Sequence, residues 1–298
     1  MNNESFESGA AFIDGKFVPI ASAKISVLDW GLLHSDATYD VVHVWNGAFF
    51  RLADHIQRFE NGMARLHMKI EHSAGDIADI VTQCVRLTGL KEAYVEIVCT
   101  RGVPPTGSRD PRDCVNRFFA FAIPFSWIAN QKQRDQGLRL HISQTQRIAP
   151  ESVDPTVKNY HWLDLTRGLF DAYAHHQDTA VLVDGRGNVV EGPGFNLFAL
   201  TDKGLVTPCV GVLEGITRQT VIILARQMDV DVLLQALSIE ELRSAREVFI
   251  TSTAGGVMPV CWIDGVAVGN GQVGKLTQQM TELYWEAHKN PRYSTPAY

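Results

Sequence analysis

The chain has 298 residues, of which 45% are hydrophobic and 20% are charged, and its formal net charge is −6. These proportions are those of a folded globular protein, and the length favours two medium-sized domains over a single one. The negative charge argues against a nucleic-acid-binding protein, because phosphate binding depends on clustered lysine and arginine. A small anionic substrate remains compatible with it, since that requires only local cations.

The composition also bears on location and on metals. The first residues, MNNESFES, are polar and acidic, and eighteen apolar residues never follow one another, so we expect a cytoplasmic protein without membrane contact. The cysteines are odd in number and lack Cys-x-x-Cys spacing, which predicts buried thiols without a disulfide framework. They are Cys84, Cys99, Cys114, Cys209 and Cys261. No histidine or cysteine spacing indicates a metal, and His161 is interpreted as a pocket or core residue.

In chain order, four apolar stretches contain a turn signal of the Asp-Gly or Asn-Gly type, which predicts four β-hairpins. They are AFIDGKFVPI, VVHVWNGAFFRL, AVLVDGRGNVVEG and CWIDGVAVGNG. Helical periodicity predicts five helices, at residues 54–68, 76–89, 163–176, 217–228 and 275–288. The fold class is therefore mixed α+β, without a regular βα repeat.

A polar stretch at residues 126–137, which ends in Gly137, is typical of an interdomain linker. It separates a predicted small N-terminal α/β domain, residues 1–125, from a larger C-terminal domain, residues 138–298. Residues 290–298 are predicted to form a loosely held tail.

Lys158 stands in DPTVKNYHW, residues 154–162, where Pro155 and Asn159 oppose a helix and aromatic residues crowd the lysine. A partly desolvated lysine can act as a nucleophile and proton carrier. Taken alone, the lysine is more often a solvated surface charge.

Glu191 ends a predicted strand and is followed by the turn Gly192-Pro-Gly-Phe-Asn196, which lets a ligand approach the backbone. A carboxylate there suits a cationic ring nitrogen, although a surface pair with Arg186 explains it equally well.

Three further residues suit an anion. Thr217 opens a predicted helix whose N–H groups and dipole favour phosphate, although an ordinary N-cap explains it too. Thr253 precedes a glycine-rich turn. Arg58 can grip phosphate through two parallel hydrogen bonds, but spacing alone favours a helix-surface pair with Asp54.

Taken together and in this order, Arg58, Lys158, Glu191, the LEGIT motif at residues 213–217 and the TAGG motif at residues 253–256 resemble the fold-type IV pyridoxal-phosphate transaminases. The resemblance spans about residues 10–288. It implies two α/β domains with mixed and antiparallel strands and the cofactor pyridoxal 5'-phosphate between the domains. It implies that Lys158 is the catalytic Schiff-base lysine and that Glu191 faces the pyridine nitrogen. The remaining cofactor residues would be Leu213 on the ring face and Arg58, Ile216, Thr217 and Thr253 at the phosphate.

Within that group, the stretches HSDATYDV, KNYHW and TAGGVMP are most similar to (R)-selective amine:pyruvate transaminases. By this resemblance His34, Tyr39 and Trp162 line a larger pocket, with Val41 and Tyr94 in a smaller one. Thr253 and Ala254 complete the substrate pocket, and Arg109, on a loop rich in glycine and proline, pairs with a keto-acid carboxylate. The implied partners are an amine donor, a keto-acid acceptor and a second copy of the chain, since this family forms homodimers with the possibility of higher oligomers.

Two departures weaken the amino-acid specificities of the family. The glycine and arginine of the branched-chain pattern Tyr-Gly-x-x-x-Phe-Glu-Gly-Ile-Arg are missing from residues 34–43, and no Arg-x-His follows Thr100-Arg-Gly102 as in D-amino-acid transaminases. Both specificities stay open, because Arg109 or Arg112 can supply a carboxylate clamp. Tyr94 stands where amine transaminases often have phenylalanine. The residues also leave open an aminodeoxychorismate-type lyase, which needs no amino acceptor, and a non-enzymatic binding protein.

Overall fold

The computed structural model describes residues 5–298, and the contacts divide them into two compact units. The first unit contains the described residues up to Ser126, Val157–His161 and His288–Tyr298; the second contains Trp127–Thr156 and Trp162–Ala287. This grouping differs from the predicted division at residues 125 and 138, because two later segments of the chain join the first unit. The domain boundaries themselves stay a prediction.

An antiparallel sheet forms the centre of the first unit. Its strands are β1 (Ala10–Ile13), β2 (Lys16–Pro19), β3 (Ala37–Trp45), β4 (Ala48–Phe50), β5 (Ala93–Thr100), β6 (Arg117–Pro124) and β17 (Ser294–Pro296). Their order is β17-β4-β3-β5-β6-β1-β2. The unit also contains helices α1 (Trp30–Leu33), α2 (Leu52–Arg65) and α3 (Ala74–Thr88) and short 3-10 turns at Ile20–Ser22 and Pro111–Asp113. The buried faces of α2 and α3 supply apolar side chains to one core with the sheet.

A mixed sheet forms the centre of the second unit. Its strands are β7 (Leu138–Gln146), β8 (Thr179–Val183), β9 (Asn188–Val189), β10 (Asn196–Thr201), β11 (Gly204–Thr207), β12 (Val232–Leu234), β13 (Leu237–Ser238), β14 (Glu247–Ser252), β15 (Gly256–Ile263) and β16 (Val266–Ala267). The order is β12-β11-β10-β14-β15-β7-β8-β9-β13, with β16 beside β15. Three pairs are parallel: β11 with β12, β15 with β7 and β7 with β8. The helices are α4 (Gln131–Gln136), α5 (Leu163–Ala174), α6 (Ile216–Gln227), α7 (Ile239–Arg243) and α8 (Lys275–Ala287). The predicted mixed α+β class, with antiparallel and mixed sheets, is confirmed.

All four predicted hairpins are present, as β1–β2, β3–β4, β8–β9 and β15–β16. In the turn between β1 and β2, Asp14 and Gly15 have φ of 51° and 72°, and Asn46 and Gly47 between β3 and β4 have 50° and 79°. A tight hairpin turn of this hand requires positive φ at both central residues, which asparagine, aspartate and glycine tolerate best. The local sequence therefore determined these turns.

The five predicted helices correspond to α2, α3, α5, α6 and α8, with ends that differ by up to three residues. Helix α3 shows why the signal was clear. Ser73 caps its start in a reciprocal capping box with Asp76, and Gly89 ends it with φ of 71°.

Two predictions were wrong. Residues 290–298 are not a loose tail, because β17 pairs with β4, Ala297 is buried and the Tyr298 hydroxyl donates to the Leu90 carbonyl at 2.7 Å. The cysteines are all free, as expected, but Cys209 is exposed and Cys114 only partly buried.

Within the described part of the chain, no helix is both long and apolar enough to cross a membrane.

Candidate active site

In the first unit, the segment that carries Lys158 is hydrogen-bonded to strand β3. The Lys158 carbonyl accepts hydrogen bonds from the Tyr39 backbone N–H at 3.1 Å and from the Thr38 hydroxyl at 2.9 Å. An isolated antiparallel bridge joins Thr38 to Asn159, whose side-chain amide donates to the Val157 carbonyl at 2.8 Å. These bonds fix the backbone on both sides of the lysine, although the segment itself is neither helix nor strand.

The Lys158 side chain lies in an aromatic environment. Its Nζ is 4.5 Å from the centre of the Tyr39 ring, and that ring stacks on Tyr160 with centroids 4.4 Å apart. An ammonium group over a ring face gains electrostatic attraction without a carboxylate partner. Tyr39 also packs in one apolar cluster with Val41 and the partly buried Tyr94. The structure thus brings together Lys158 and three of the predicted substrate-pocket residues.

A carboxyl group that the sequence analysis missed lies in the same cluster. Glu96, on β5, is buried, and its two oxygens accept hydrogen bonds from the Tyr160 hydroxyl at 2.6 Å and the Tyr94 hydroxyl at 3.1 Å. Burial raises the pKa of Glu96, although both tyrosines and Lys158 oppose this shift. Burial and the nearby acid also raise the pKa of both tyrosines, which keeps their hydroxyls protonated as donors. A single acid in the apolar strand AYVEIVCT was the available sequence signal.

Arg58, on α2, does not form the expected pair with Asp54, which instead pairs with Arg51. It donates to both oxygens of Asp40 on β3, from Nε at 2.7 Å and from Nη2 at 2.8 Å. His55 Nδ1 lies 2.7 Å from the same carboxylate. Burial alone would raise the pKa of Asp40, but Arg58 and His55 hold it well below its usual range. Burial lowers the pKa of His55 and favours the neutral ring. The role of Arg58 at a phosphate stays a prediction.

In the second unit, Glu191 follows the short strand β9 and is buried. Its Oε2 accepts a hydrogen bond from the Leu213 N–H at 2.9 Å, and Arg147 Nε donates to Oε1 at 3.3 Å. Arg147 also binds Asp164 at 2.6 Å. Burial lowers the pKa of Arg147, but the two acids outweigh this and raise it. Glu191 is therefore a rigidly held carboxylate and not a surface partner of Arg186. The predicted residues Glu191 and Leu213 are in direct contact.

The start of α6 provides backbone donors for an anion. Its N-cap residue is Gly215, so the start of this described helix has no side-chain N-cap hydrogen bond. Ile216 and Thr217 are buried at its first two positions, and the Thr217 hydroxyl lies 3.4 Å from the Tyr284 hydroxyl. The first N–H groups of a helix lack partners within the helix and, with the helix dipole, favour an anion. The alternative role of Thr217 as an N-cap is not observed.

The remaining predicted residues lie at the ends of α1 and α5 and in two loops. His34 ends α1 and packs edge-on against Trp30, and Arg109 lies in the loop before the Pro111–Asp113 turn. Trp162 is the N-cap residue of α5 and packs on a small core cluster of the second unit. Thr253 and Ala254 are partly buried in the turn between β14 and β15, where the Ala254 carbonyl accepts from the Ile128 N–H at 2.9 Å.

Comparison with known proteins identifies relatives along almost the whole chain. Residues 37–263 match the family model described as amino-transferase class IV. A putative branched-chain-amino-acid aminotransferase of Methanocaldococcus jannaschii is 34% identical over 92% of this chain and 94% of its own length. A D-alanine aminotransferase of Staphylococcus haemolyticus is 26% identical over 91% and 95% of the two chains. The solved branched-chain aminotransferase of Thermoproteus uzoniensis with norvaline superimposes with a TM-score of 0.89 at 29% identity, covering 97% and 99% of the two chains.

Proposed function

Because this chain belongs to the class IV aminotransferases and is a pyridoxal-phosphate-dependent enzyme, we propose that Lys158 is the residue that binds the cofactor covalently. Two contacts support this proposal. The Lys158 carbonyl is hydrogen-bonded to β3, and the Lys158 Nζ lies against the Tyr39 ring. Such a lysine is held in position and has an aromatic surface beside it, on which a planar ring can pack.

Residues of the second unit also suit parts of pyridoxal phosphate. Pyridoxal phosphate, when bound, supplies a protonated ring that accepts electrons from the substrate carbon. A carboxylate such as Glu191, fixed by Arg147 and the Leu213 N–H, is suited to keep that ring nitrogen protonated. The N–H groups of Ile216 and Thr217 suit the phosphate. Arg58 and Thr253 are the further phosphate candidates, and Leu213 is the candidate for the ring face.

Lys158 has a second role in this proposal. Its Nζ would take the proton from the donor carbon that carries the amine and would carry it for the second proton transfer, while the bound cofactor would supply the electron-accepting ring. This role requires a mobile side chain on a backbone that does not move. The two hydrogen bonds to the Lys158 carbonyl hold that backbone in place.

The Lys158→Ala variant tests the assignment. We expect complete loss of transamination and of the visible absorbance band that a lysine-bound cofactor gives. The Lys132→Ala variant, which removes an exposed lysine on α4, should keep both. A Lys158→Ala protein that keeps the band and the activity would show that another lysine binds the cofactor.

We propose that the amino donor is a primary amine. The enzyme transfers its amino group, with (R) selectivity, to pyruvate or a similar keto acid. The support is local: the cluster of Tyr39, Val41, Tyr94, Glu96 and Tyr160 around Lys158 contains an acid and no arginine. A donor with an α-carboxylate would meet a carboxyl group there instead of a cation, whereas an apolar substituent would meet aromatic rings. Arg109 is the candidate for the keto-acid carboxylate.

The second candidate is an α-amino acid donor, of the branched-chain or D-amino-acid type. The comparisons favour it over the primary amine, since the relatives described above are named as branched-chain and D-alanine aminotransferases. With such a donor, Arg109 or Arg112 would have to bind the α-carboxylate. Arg112 already pairs with Asp110, which makes Arg109 the better candidate.

One set of rate measurements separates these donors. The two enantiomers of 1-phenylethylamine with pyruvate are compared with D-alanine and L-leucine with 2-oxoglutarate, using wild-type protein and Glu96→Gln. We expect turnover of the (R)-amine, and a shift of preference toward the amino acids in Glu96→Gln. Turnover of the amino acids alone would refute the amine proposal and leave Lys158 untouched. A separate assay with aminodeoxychorismate tests the lyase, because release of pyruvate from that substrate without any amino acceptor would indicate it.

A homodimer is the assembly that we propose. The segment before and within α1 supports it, because Val27, Leu28, Leu32 and Leu33 expose between 55% and 73% of their surface. Large apolar side chains grouped on a surface are typical of interfaces. Light scattering should give twice the mass of the chain for the wild type, and Leu32→Asp should lower it. A monomeric wild type would refute the proposal.

A further inference from the structure

A group of two histidines and an aspartate lies in the second unit, and none of the three residues has a proposed cofactor or substrate role. His141 is on β7, Asp171 is in the last turn of α5, and His175 is the residue that ends α5. One potential ligand atom from each residue lies within 4.8 Å of those from the other two. Asp171 and His175 are four residues apart, the spacing that places two side chains on one helix face.

The hydrogen bonds of His141 determine which of its nitrogens carries a lone pair. Its Nδ1 lies 2.7 Å from Asp264 Oδ1, which also accepts from the Ile142 N–H at 3.1 Å. Arg243 donates to the other oxygen of Asp264 at 2.7 Å. A carboxylate with these donors is an acceptor, so His141 Nδ1 donates to it. In the neutral ring the lone pair is then on Nε2.

That Nε2 faces a second carboxylate. Asp171 Oδ2 is 3.2 Å away and already accepts a hydrogen bond from the Ser143 hydroxyl at 2.7 Å. A lone pair and a carboxylate oxygen repel each other at this distance unless a positive charge lies between them. A proton on Nε2 can supply it, and so can a metal ion.

We propose that His141, Asp171 and His175 bind one divalent transition-metal ion, of the zinc class. Imidazole and carboxylate are the ligands that such ions accept, and a metal-binding histidine usually donates its other N–H to a carboxylate, as His141 does to Asp264. Sequence spacing could not reveal this group, because His141 and Asp171 are 30 residues apart.

His175 is the third candidate ligand of the site. Its Nδ1 donates to the Asp171 carbonyl at 2.8 Å, which leaves the lone pair of the neutral ring on Nε2. Its ring stacks on His141 with centroids 4.5 Å apart, and 59% of its side chain is exposed. The ring has to leave this stacked arrangement before its Nε2 can reach an ion shared with His141 and Asp171, and the exposed side chain has the solvent space to turn.

The test measures metal binding directly on the holoprotein. The wild type, His175→Asn and His176→Asn are stripped with chelator, desalted and titrated with Zn²⁺ by calorimetry, and Co²⁺ absorbance is recorded in parallel. His176 is the matched control, because it is exposed, adjacent to His175 and has φ of 58°, which asparagine tolerates. Binding of Zn²⁺ by the cofactor or by exposed Cys209 is the same in all three proteins.

We expect one additional Zn²⁺ site per chain in the wild type and in His176→Asn, with at least 10-fold weaker binding in His175→Asn. The zinc-dependent rise of the melting temperature should follow the same pattern, since an ion that binds only the folded state stabilises it. Equal affinity and stoichiometry in His175→Asn and the wild type would overturn the proposal.

Discussion

The substitution Asp40→Asn tests the buried pair that holds Arg58. The change keeps the size of the side chain and removes its charge. Asp40 is 1% exposed and the Arg58 side chain 13% exposed, and the two share two hydrogen bonds. Removal of one partner of a buried pair costs about 3–5 kcal/mol, because the other charge stays desolvated. At about 2–4 °C per kcal/mol for a protein of this size, the melting temperature should fall by the order of 10 °C.

The same chain contains a matched control. Arg51 and Asp54 form an ion pair at 2.6 Å, but Asp54 is 49% exposed. Solvent screens this pair because its carboxylate is half exposed, so Asp54→Asn should lower the melting temperature less than Asp40→Asn does, even though Arg51 is buried. Differential scanning calorimetry of the three holoproteins at pH 7 compares them. If Asp40→Asn is no less stable than Asp54→Asn, the buried pair does not stabilise the fold and our reasoning is refuted.

The pH dependence of this effect has a definite sign. The pKa of Asp40 is lowered in the folded state, so its stabilisation is present above the ordinary aspartate pKa of about 3.9 and is lost as the pH falls below it. The difference in urea midpoint between the wild type and Asp40→Asn should be constant from pH 7 to 5 and shrink toward pH 3. A difference that is unchanged at pH 3 would indicate packing and not charge.

Three further predictions depend on single contacts. Glu191→Gln keeps an acceptor for the Leu213 N–H but loses the charge, so transamination should fall about 10²- to 10³-fold in steady-state assays, whereas Glu240→Gln, at an exposed position on α7, should stay within about 2-fold. Gly62→Ala places a Cβ 2.7 Å from the Thr38 hydroxyl oxygen and should lower the melting temperature, whereas Gly75→Ala, with its nearest contact at 3.7 Å, should leave it equal or higher. Deletion of residues 294–298 removes β17 and the bonds from Tyr298, and should speed proteolysis of the β3–β4 hairpin; unchanged proteolysis would restore the loose-tail interpretation.

The parts of the fold that could be predicted from sequence are those that depend on neighbouring residues. The turns at Asp14-Gly15 and Asn46-Gly47 need positive φ at two adjacent positions, and the dipeptides alone indicate this. The chain end could not be read in this way. Its proline and polar residues suggested a loose tail, but strand β4 offers an edge with which β17 pairs.

In the candidate site, too, only the residues that stand in a local motif could be predicted from the sequence. Lys158 and Glu191 could be selected because each stands beside an informative local motif. The groups around them could not. Arg147 is 44 residues from Glu191, and Glu96, the acid near Lys158, is 64 residues from Tyr160, whose hydroxyl donates to it. A buried ion pair has no periodicity in sequence, so only the folded chain reveals it.

The register of strand β3 determines which of its side chains lie beside Lys158 and which lie against helix α2. Successive side chains of a strand point to opposite faces. On β3, Tyr39 and Val41 share one cluster with Lys158, while Thr38 lies against Gly62 of α2 and Asp40 binds Arg58 of the same helix. A slip of one residue would exchange the two sets, placing Asp40 in the aromatic cluster and Tyr39 against the helix. The Asp40–Arg58 pair therefore does more than stabilise α2: it opposes that slip, and so keeps the Tyr39 ring beside Lys158.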